Sequence, residues 1–222
     1  MKHPCRWLIY GLGMAVLAFG ITLNTKAGLG VSPIISVAYS ISQIFSLNFG
    51  DMTFVLYVLF VLVQLILRDK RERIATLLQI VVSLIFSWLL NLFDMLIPYR
   101  SADHSLPANL ALLAAAIFLT GLGIAMTVNM RLVPNPGDGI VQAVAERIGR
   151  GQGFTKNIFD VGCVCTTIVV GFCFARPLVG IGAGTIAAMV GVGRSVALVN
   201  HLFQEKMLAA AGISAQAAQG KA

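Results

Sequence analysis

Apolar residues run through this chain in long stretches that break at a few polar points. The stretches cover about 7–24, 32–45, 52–67 and 74–97, then 110–127, 139–150, 156–174 and 178–203. An apolar run of roughly 18 residues is long enough to cross a bilayer as a helix. Six of the eight approach or exceed that length. Two do not: 32–45 carries four serines and a glutamine, and 139–150 places Ile140, Val141, Val144 and Ile148 on one helical face and Gln142, Glu146 and Arg147 elsewhere. The pattern predicts an all-α membrane helix bundle of six spans with two short non-spanning or re-entrant helices.

The eight stretches form two sets of four. Gly20 to Pro33 reads GITLNTKAGLGVSP, and Gly123 to Pro136 reads GIAMTVNMRLVPNP. One offset of 103 pairs Gly20 with Gly123, Ile21 with Ile124, Leu29 with Leu132, Pro33 with Pro136 and Gly50 with Gly153. The first repeat then covers 1–97, with spans at 7–24, 52–67 and 74–97. A polar linker follows at 98–109. The second repeat covers 110–203, with spans at 110–127, 156–174 and 178–203, interrupted by Arg176-Pro177. Residues 204–222 form a loose or weakly helical tail.

Charge sets the orientation. If both short segments fail to cross, 12 of the 16 Lys and Arg collect on the side of the N-terminus: Lys2, Arg6, the four within 68–73, Arg131, Arg147, Arg150, Lys156, Lys206 and Lys221. The positive-inside rule makes that side cytoplasmic, with both termini there. Three spans per repeat is an odd number, so the repeats are expected to be inverted, an arrangement in which transporters place a site near the midplane between repeats. The run 7–23 precedes a faint cleavage-like Thr25-Lys26-Ala27 but is long for a signal peptide; it is expected to stay as the first span.

Composition agrees. Of 222 residues 58% are hydrophobic and only 11% charged, with mean hydropathy +0.87; a soluble domain carries about 25% charged residues. The net charge of +7 reflects basic flanks of membrane spans, and no basic-aromatic face suggests nucleic acid. Cys163 and Cys165, two apart, point to nearly opposite sides of a helix and do not chelate one metal easily. With Cys5 and Cys173 they read as small packing residues, and no disulfide framework is present. His3, His104 and His201 are scattered and match no catalytic motif. The expectation is no enzyme, no cofactor and no metal.

The motif GITLNTKAGLGVSP, then Leu47-Asn48-Phe49-Gly50 and Ala75-Thr76-Leu77-Leu78 leading to Asp94, resembles the YczE/YyaS/YitT family of bacterial inner-membrane proteins. VPNPGDG, Gly153-Phe154-Thr155, Gly184-Thr185 and Gly191 resemble that family's second half. The similarity spans roughly 7–203 and implies fold and an inner-membrane location; it implies no chemistry. The two halves depart from each other where Ile34-Ile35 faces Gly137-Asp138, and where Val82 stands opposite Gly191.

The punctuated loops are the leading candidate site. Irregular backbone at membrane depth persists only where protein or a watery cavity satisfies its polar groups, and a helix starting there aims its N–H groups and positive dipole end at whatever occupies the loop. Asn24, Gly28, Gly30, Pro33, Asn135, Pro136 and Asp138 are the candidate substrate-binding residues on these loops. Two readings stay open: re-entrant half-helices forming a polar site, or surface turns capping interfacial helices, with Asp138 as a cap. Asn129 flanks the second loop. Asp160 is a further candidate, four residues after Lys156 and able to pair with it or with Arg194 across helices. Arg194 lies inside an apolar span, where a charge costs about 2.5–3.5 kcal/mol on insertion scales. It either serves a bound anion or carboxylate, or snorkels to the interface. Small residues at four-residue spacing (Gly180, Gly184, Ala188, and Ala187, Gly191) suit close helix packing, including contact with a second copy.

Two functions are expected to compete. One is a permease for a small polar or anionic solute. The other is a non-transporting membrane protein that scaffolds a partner in the bilayer. A polar internal cavity would favour the first, and a filled interior with a lipid-facing glycine groove the second.

Overall fold

The computed structural model describes residues 4–174 and 179–213. The Arg176-Pro177 interruption, residue 178, Lys2, Lys221 and the tail beyond 213 lie outside the described residues. The described chain is all helical: α1 (Pro4–Lys26), α2 (Pro33–Phe45), α3 (Phe49–Leu67), α4 (Arg73–Leu96), α5 (Leu106–Asn129), α6 (Pro136–Ile148), α7 (Gln152–Cys173) and α8 (Ala183–Ala210). Six of them, α1, α3, α4, α5, α7 and α8, are long and apolar enough to cross a membrane. The short α2 and α6 are not among them.

The offset of 103 recurs in the helix boundaries. It carries the 33–45 limits of α2 onto the 136–148 limits of α6, the start of α3 onto the start of α7, and the end of α1 onto the end of α5. Each short helix begins on proline, whose missing N–H costs nothing at a first helical position. Each ends on a left-handed cap, Ser46 at φ 54 and Gly149 at φ 64. Their N–H groups return to Ser42 O and Ala145 O, and the next residues, Leu47 and Arg150, bond the same two carbonyls. These cap bonds also stand 103 apart, and they satisfy carbonyls that a helix end would leave open.

The centre of the bundle is the pair α1 and α5. They run antiparallel, because Gly13 lies against Met126 and Thr127, Gly20 against Thr120, and Gly123 against Leu17. α1 and α4 run the same way, joined by Phe19 on Phe93 and the Lys26–Asp94 ion pair at 2.7 Å. α5 and α8 also run the same way, with Ile117 at Gly191, Gly121 at Ser195, and Asn129 bonded to Asn200. Each short helix packs on a long helix of the other half: α2 on α7 and α6 on α3. The glycines predicted to pack do so inside the chain, Gly184 on Leu29 and Gly191 on Ile117, whereas Gly193 faces open space.

Several helix boundaries differ from the sequence pattern. α3 and α7 begin at Phe49 and Gln152, three and four residues early, because each short helix caps off and leads straight into its neighbour. α5 begins at Leu106 within the expected linker, with Pro107 in its first turn. α8 continues to Ala210 through the expected tail. Gln204 there donates to Asn129 Oδ1, and Leu208 is buried.

Candidate functional site

Irregular backbone follows α1 and α5, and protein groups satisfy it in both places. Loop 27–32 lies on the start of α8: Val31 N–H donates to Gly180 O at 2.9 Å, and Gly184 N–H to Leu29 O at 2.7 Å. Gly28 (φ 68) and Gly30 (φ 110) take left-handed conformations that only glycine adopts cheaply. A Cβ on Gly30 would also lie 2.6 Å from Gly182 N. Loop 130–135 is held by side chains instead. Arg6 donates to Met130 O and Arg131 O, and the Tyr10 hydroxyl to Val133 O.

Beyond these loops, α2 and α6 start next to each other. Ile34 lies against Gly137, positions 103 apart, and the Tyr57 hydroxyl borders the same spot. A cavity opens there. It is lined by Leu17, Ile21, Ser32, Ile34, Ile35, Tyr57, Thr120, Ile124, Asn135, Gly137, Asp138, Lys156, Asp160, Ala188, Met189 and Val192. Twelve of these sixteen are six pairs at the offset of 103: Leu17 with Thr120, Ile21 with Ile124, Ser32 with Asn135, Ile34 with Gly137, Ile35 with Asp138, and Tyr57 with Asp160. The cavity therefore sits where the two halves meet, bounded by equivalent positions of each. Its volume, counted as space for the centre of a water molecule, is about 50 Å³. About 10–15 Å³ on that measure admits one water, so the cavity admits several waters or a solute of a few heavy atoms.

The pairs are unequal in chemistry. Besides Ser32 and Tyr57, the first half supplies Leu17, Ile21, Ile34 and Ile35; besides Ile124 and Gly137, the second supplies Thr120, Asn135, Asp138 and Asp160. Asp160 is almost fully buried and is bracketed by Lys156 Nζ at 3.3 and 3.4 Å. The lysine stem lets that ammonium reach a carboxylate held in the interior, and a buried carboxylate without such a partner is strongly disfavoured. Asn135 caps α6, its Oδ1 accepting from Gly137 N–H at 3.0 Å, and its side chain also meets the Tyr57 hydroxyl. Asp138 lies within the electrostatic reach of Lys156 and Asp160.

Of the residues the sequence singled out, Asn135, Asp138 and Asp160 line the cavity. Asn24 does not: it is buried behind the loop, where its Oδ1 accepts from Ser32 N–H at 3.1 Å. Gly28 and Gly30 shape the loop, and Pro33 and Pro136 are the buried first residues of their helices. Pro136 O faces the Gln64 amide at 3.5 Å. Asn129 ties α5 to α8 through Asn200 and Gln204.

Arg194 is not brought to the cavity. It is exposed on α8, next to Ser195 on Gly121, and of the two pairings open to Asp160 the one with Lys156 forms. Helical rotation is the reason: Ala188 and Val192, four apart, turn inward, and Arg194 falls on another face.

Sequence reasoning missed Tyr57, Ser32, Thr120 and the apolar wall. The offset of 103 held a signal for Tyr57, whose partner position is Asp160. It also missed the buried Gln64–Gln79 pair, whose amides exchange two hydrogen bonds of 3.0 Å against Gly139. Among the described residues no three His, Cys, Asp or Glu side chains gather into a metal-holding cluster.

The comparisons with known proteins cover nearly the whole chain. The family of unknown function DUF6198 matches residues 4–201. The chain is 25% identical over 205 residues to the "Uncharacterized membrane protein YczE" of Bacillus subtilis (strain 168), covering 88% of this chain and 89% of that one. It is 23% identical over 181 residues to the "Uncharacterized protein YyaS" of the same organism, covering 82% and 85%. No solved structure matches. With six apolar helices long enough to span and a family match over most of its length, the chain is a multi-pass membrane protein and belongs to the DUF6198 family.

Proposed function

We propose that this protein is a permease for a small polar solute, with its binding site in the cavity between two inverted repeats. The observation that carries the reading is the cavity itself. A membrane bundle with only a structural role gains by filling its centre with apolar side chains, yet here two carboxylates, a lysine and an amide line a space at the meeting point of two half-helices. The antiparallel packing of α1 on α5, equivalent helices at the offset of 103, supports inversion of the repeats. Sites of this kind, at half-helix starts on a repeat interface, are what inverted-repeat transporters use.

The positive-inside rule supports a cytoplasmic face carrying Arg6, the 68–73 cluster, Arg131, Arg147 and Arg150, in an inner membrane. A cysteine at Ala102, in a variant lacking the native cysteines, is expected to react with an impermeant thiol reagent added to intact cells, and one at Arg150 only after lysis. The reverse pattern would overturn the orientation. The permease reading is tested by solute uptake into proteoliposomes against protein-free liposomes. Flux that needs the protein and saturates supports it; absence of flux across cationic, neutral and anionic small solutes contradicts it. Gly184 and Gly191 pack inside the chain, which supports the permease reading over a lipid-facing groove at those two positions.

A further inference from the structure

We propose that the cavity binds a small organic cation, an alkylammonium- or guanidinium-type group paired with the Asp138 carboxylate. This inference rests on the permease reading above and names its substrate class.

The starts of α2 and α6 together suggest an anion at first sight, because helix N-termini attract negative charge. The hydrogen bonds argue otherwise. At α6, Pro136 has no N–H, Gly137 N–H donates to Asn135 Oδ1, and Asp138 and Gly139 N–H donate to Asn135 O. At α2, Pro33 has no N–H, Ile35 and Ser36 donate to Ser32 O, and Ser32 itself donates to Asn24 Oδ1. At α6 the Asn135 side chain thus takes the place an anion would occupy, and at α2 only the Ile34 N–H is left. The single cation of the lining, Lys156, is committed to Asp160.

What remains open is an acceptor. Asp138 lines the cavity, and its carboxylate makes no hydrogen bond or ion pair among the described residues. Burial pushes the Asp138 carboxyl up, as a site without a counter-charge does, while the nearby Lys156 ammonium and the dipole of α6 favour its charged form. The lining therefore holds two carboxylates against one ammonium, a deficit of one positive charge. The lining also carries Leu17, Ile21, Ile34 and Ile35, which suit a short hydrocarbon portion. A donor-rich cation with a small apolar body matches this mixed lining and the small volume.

The test uses the full-length protein in proteoliposomes, with guanidinium and ethylammonium as cationic probes and acetate as the anionic one. Transport currents and the shift in melting temperature on adding each probe are both read. The cations are expected to give saturable currents and to stabilise the protein. Asp138→Asn is expected to weaken both responses about tenfold or more in apparent affinity, the loss of a charge-assisted hydrogen bond. Asp138→Glu, which keeps the charge, is expected to restore them and guards against a folding defect. Acetate currents that survive Asp138→Asn would overturn the cation assignment and leave the permease reading standing. Cation responses unchanged in Asp138→Asn would remove Asp138 as counter-charge, again without touching that reading. No current and no melting shift with any probe would overturn both.

Discussion

Gly20 of α1 lies on the backbone of Thr120 in α5, so that a Cβ on Gly20 would stand 2.6 Å from Thr120 N. The same contact occurs a second time with the roles exchanged: a Cβ on Gly123 would stand 2.5 Å from Leu17 N, and both residues are displaced by 103. Two equivalent helices that cross at two equivalent glycines make a nearly self-complementary interface, like that of a twofold dimer within one chain. It also forms one wall of the cavity, because Leu17 and Thr120 both line it.

The crossing predicts matched losses. Gly20→Ala and Gly123→Ala each force backbone apart at the centre of the bundle. Each is expected to cost about 1–3 kcal/mol, as overpacking does, and to lower the melting temperature in detergent by similar amounts. Gly11→Ala, on the same helix with open space beside it, is expected to be neutral or slightly stabilising. Equal melting temperatures for all three variants would contradict the crossing.

The buried Gln64–Gln79 pair predicts strong coupling. Gln64→Met leaves the Gln79 amide without its partner in a dry interior, at a cost of about 1–3 kcal/mol. The double variant Gln64→Met/Gln79→Met removes both polar groups and is expected to recover most of that loss. A double-mutant cycle on thermal unfolding measures the coupling, and simple additivity would show that the amides are satisfied elsewhere.

Lys156 and Asp160 predict a sign as well as a size. Lys156→Met strands a carboxylate that is almost wholly buried, so it is expected to destabilise more than Lys156→Met/Asp160→Asn, which removes the charge together with its partner. Lys156 is itself partly exposed, which moderates the single-variant loss through screening. A double variant less stable than Lys156→Met alone would indicate that Asp160 has another counter-charge.

Much of the fold was legible because it is written twice. Proline at 33 and 136 marks the starts of α2 and α6, and the apolar run lengths separate the short helices from the six long ones. Depth was not legible. The charged, amphipathic α6 reads as an interfacial helix, and only the contacts of its first turn with Ile34 and Tyr57 reveal that it starts inside the bundle. Direction around a helix was also hidden. Arg194 and Val192 are two residues apart in one apolar run, yet one is exposed and the other lines the cavity. Asn24 and Asn135 look alike as loop polar groups, but one braces a loop from behind and the other faces the space. Tyr57 carried no local signal and stands out only once position 160 is recognised as its counterpart.

The central claim is that the cavity between the two halves is where solute binds. Ala188 lines that cavity, is fully buried, and belongs to no hydrogen bond or ion pair of the site, so Ala188→Leu fills the space without removing a polar group. The most direct measurement is proteoliposome flux of this variant beside Arg194→Ala, with melting temperatures confirming that both are folded. The account predicts that Ala188→Leu abolishes flux and Arg194→Ala keeps it at the wild-type level. Undiminished flux through folded Ala188→Leu protein would contradict the account.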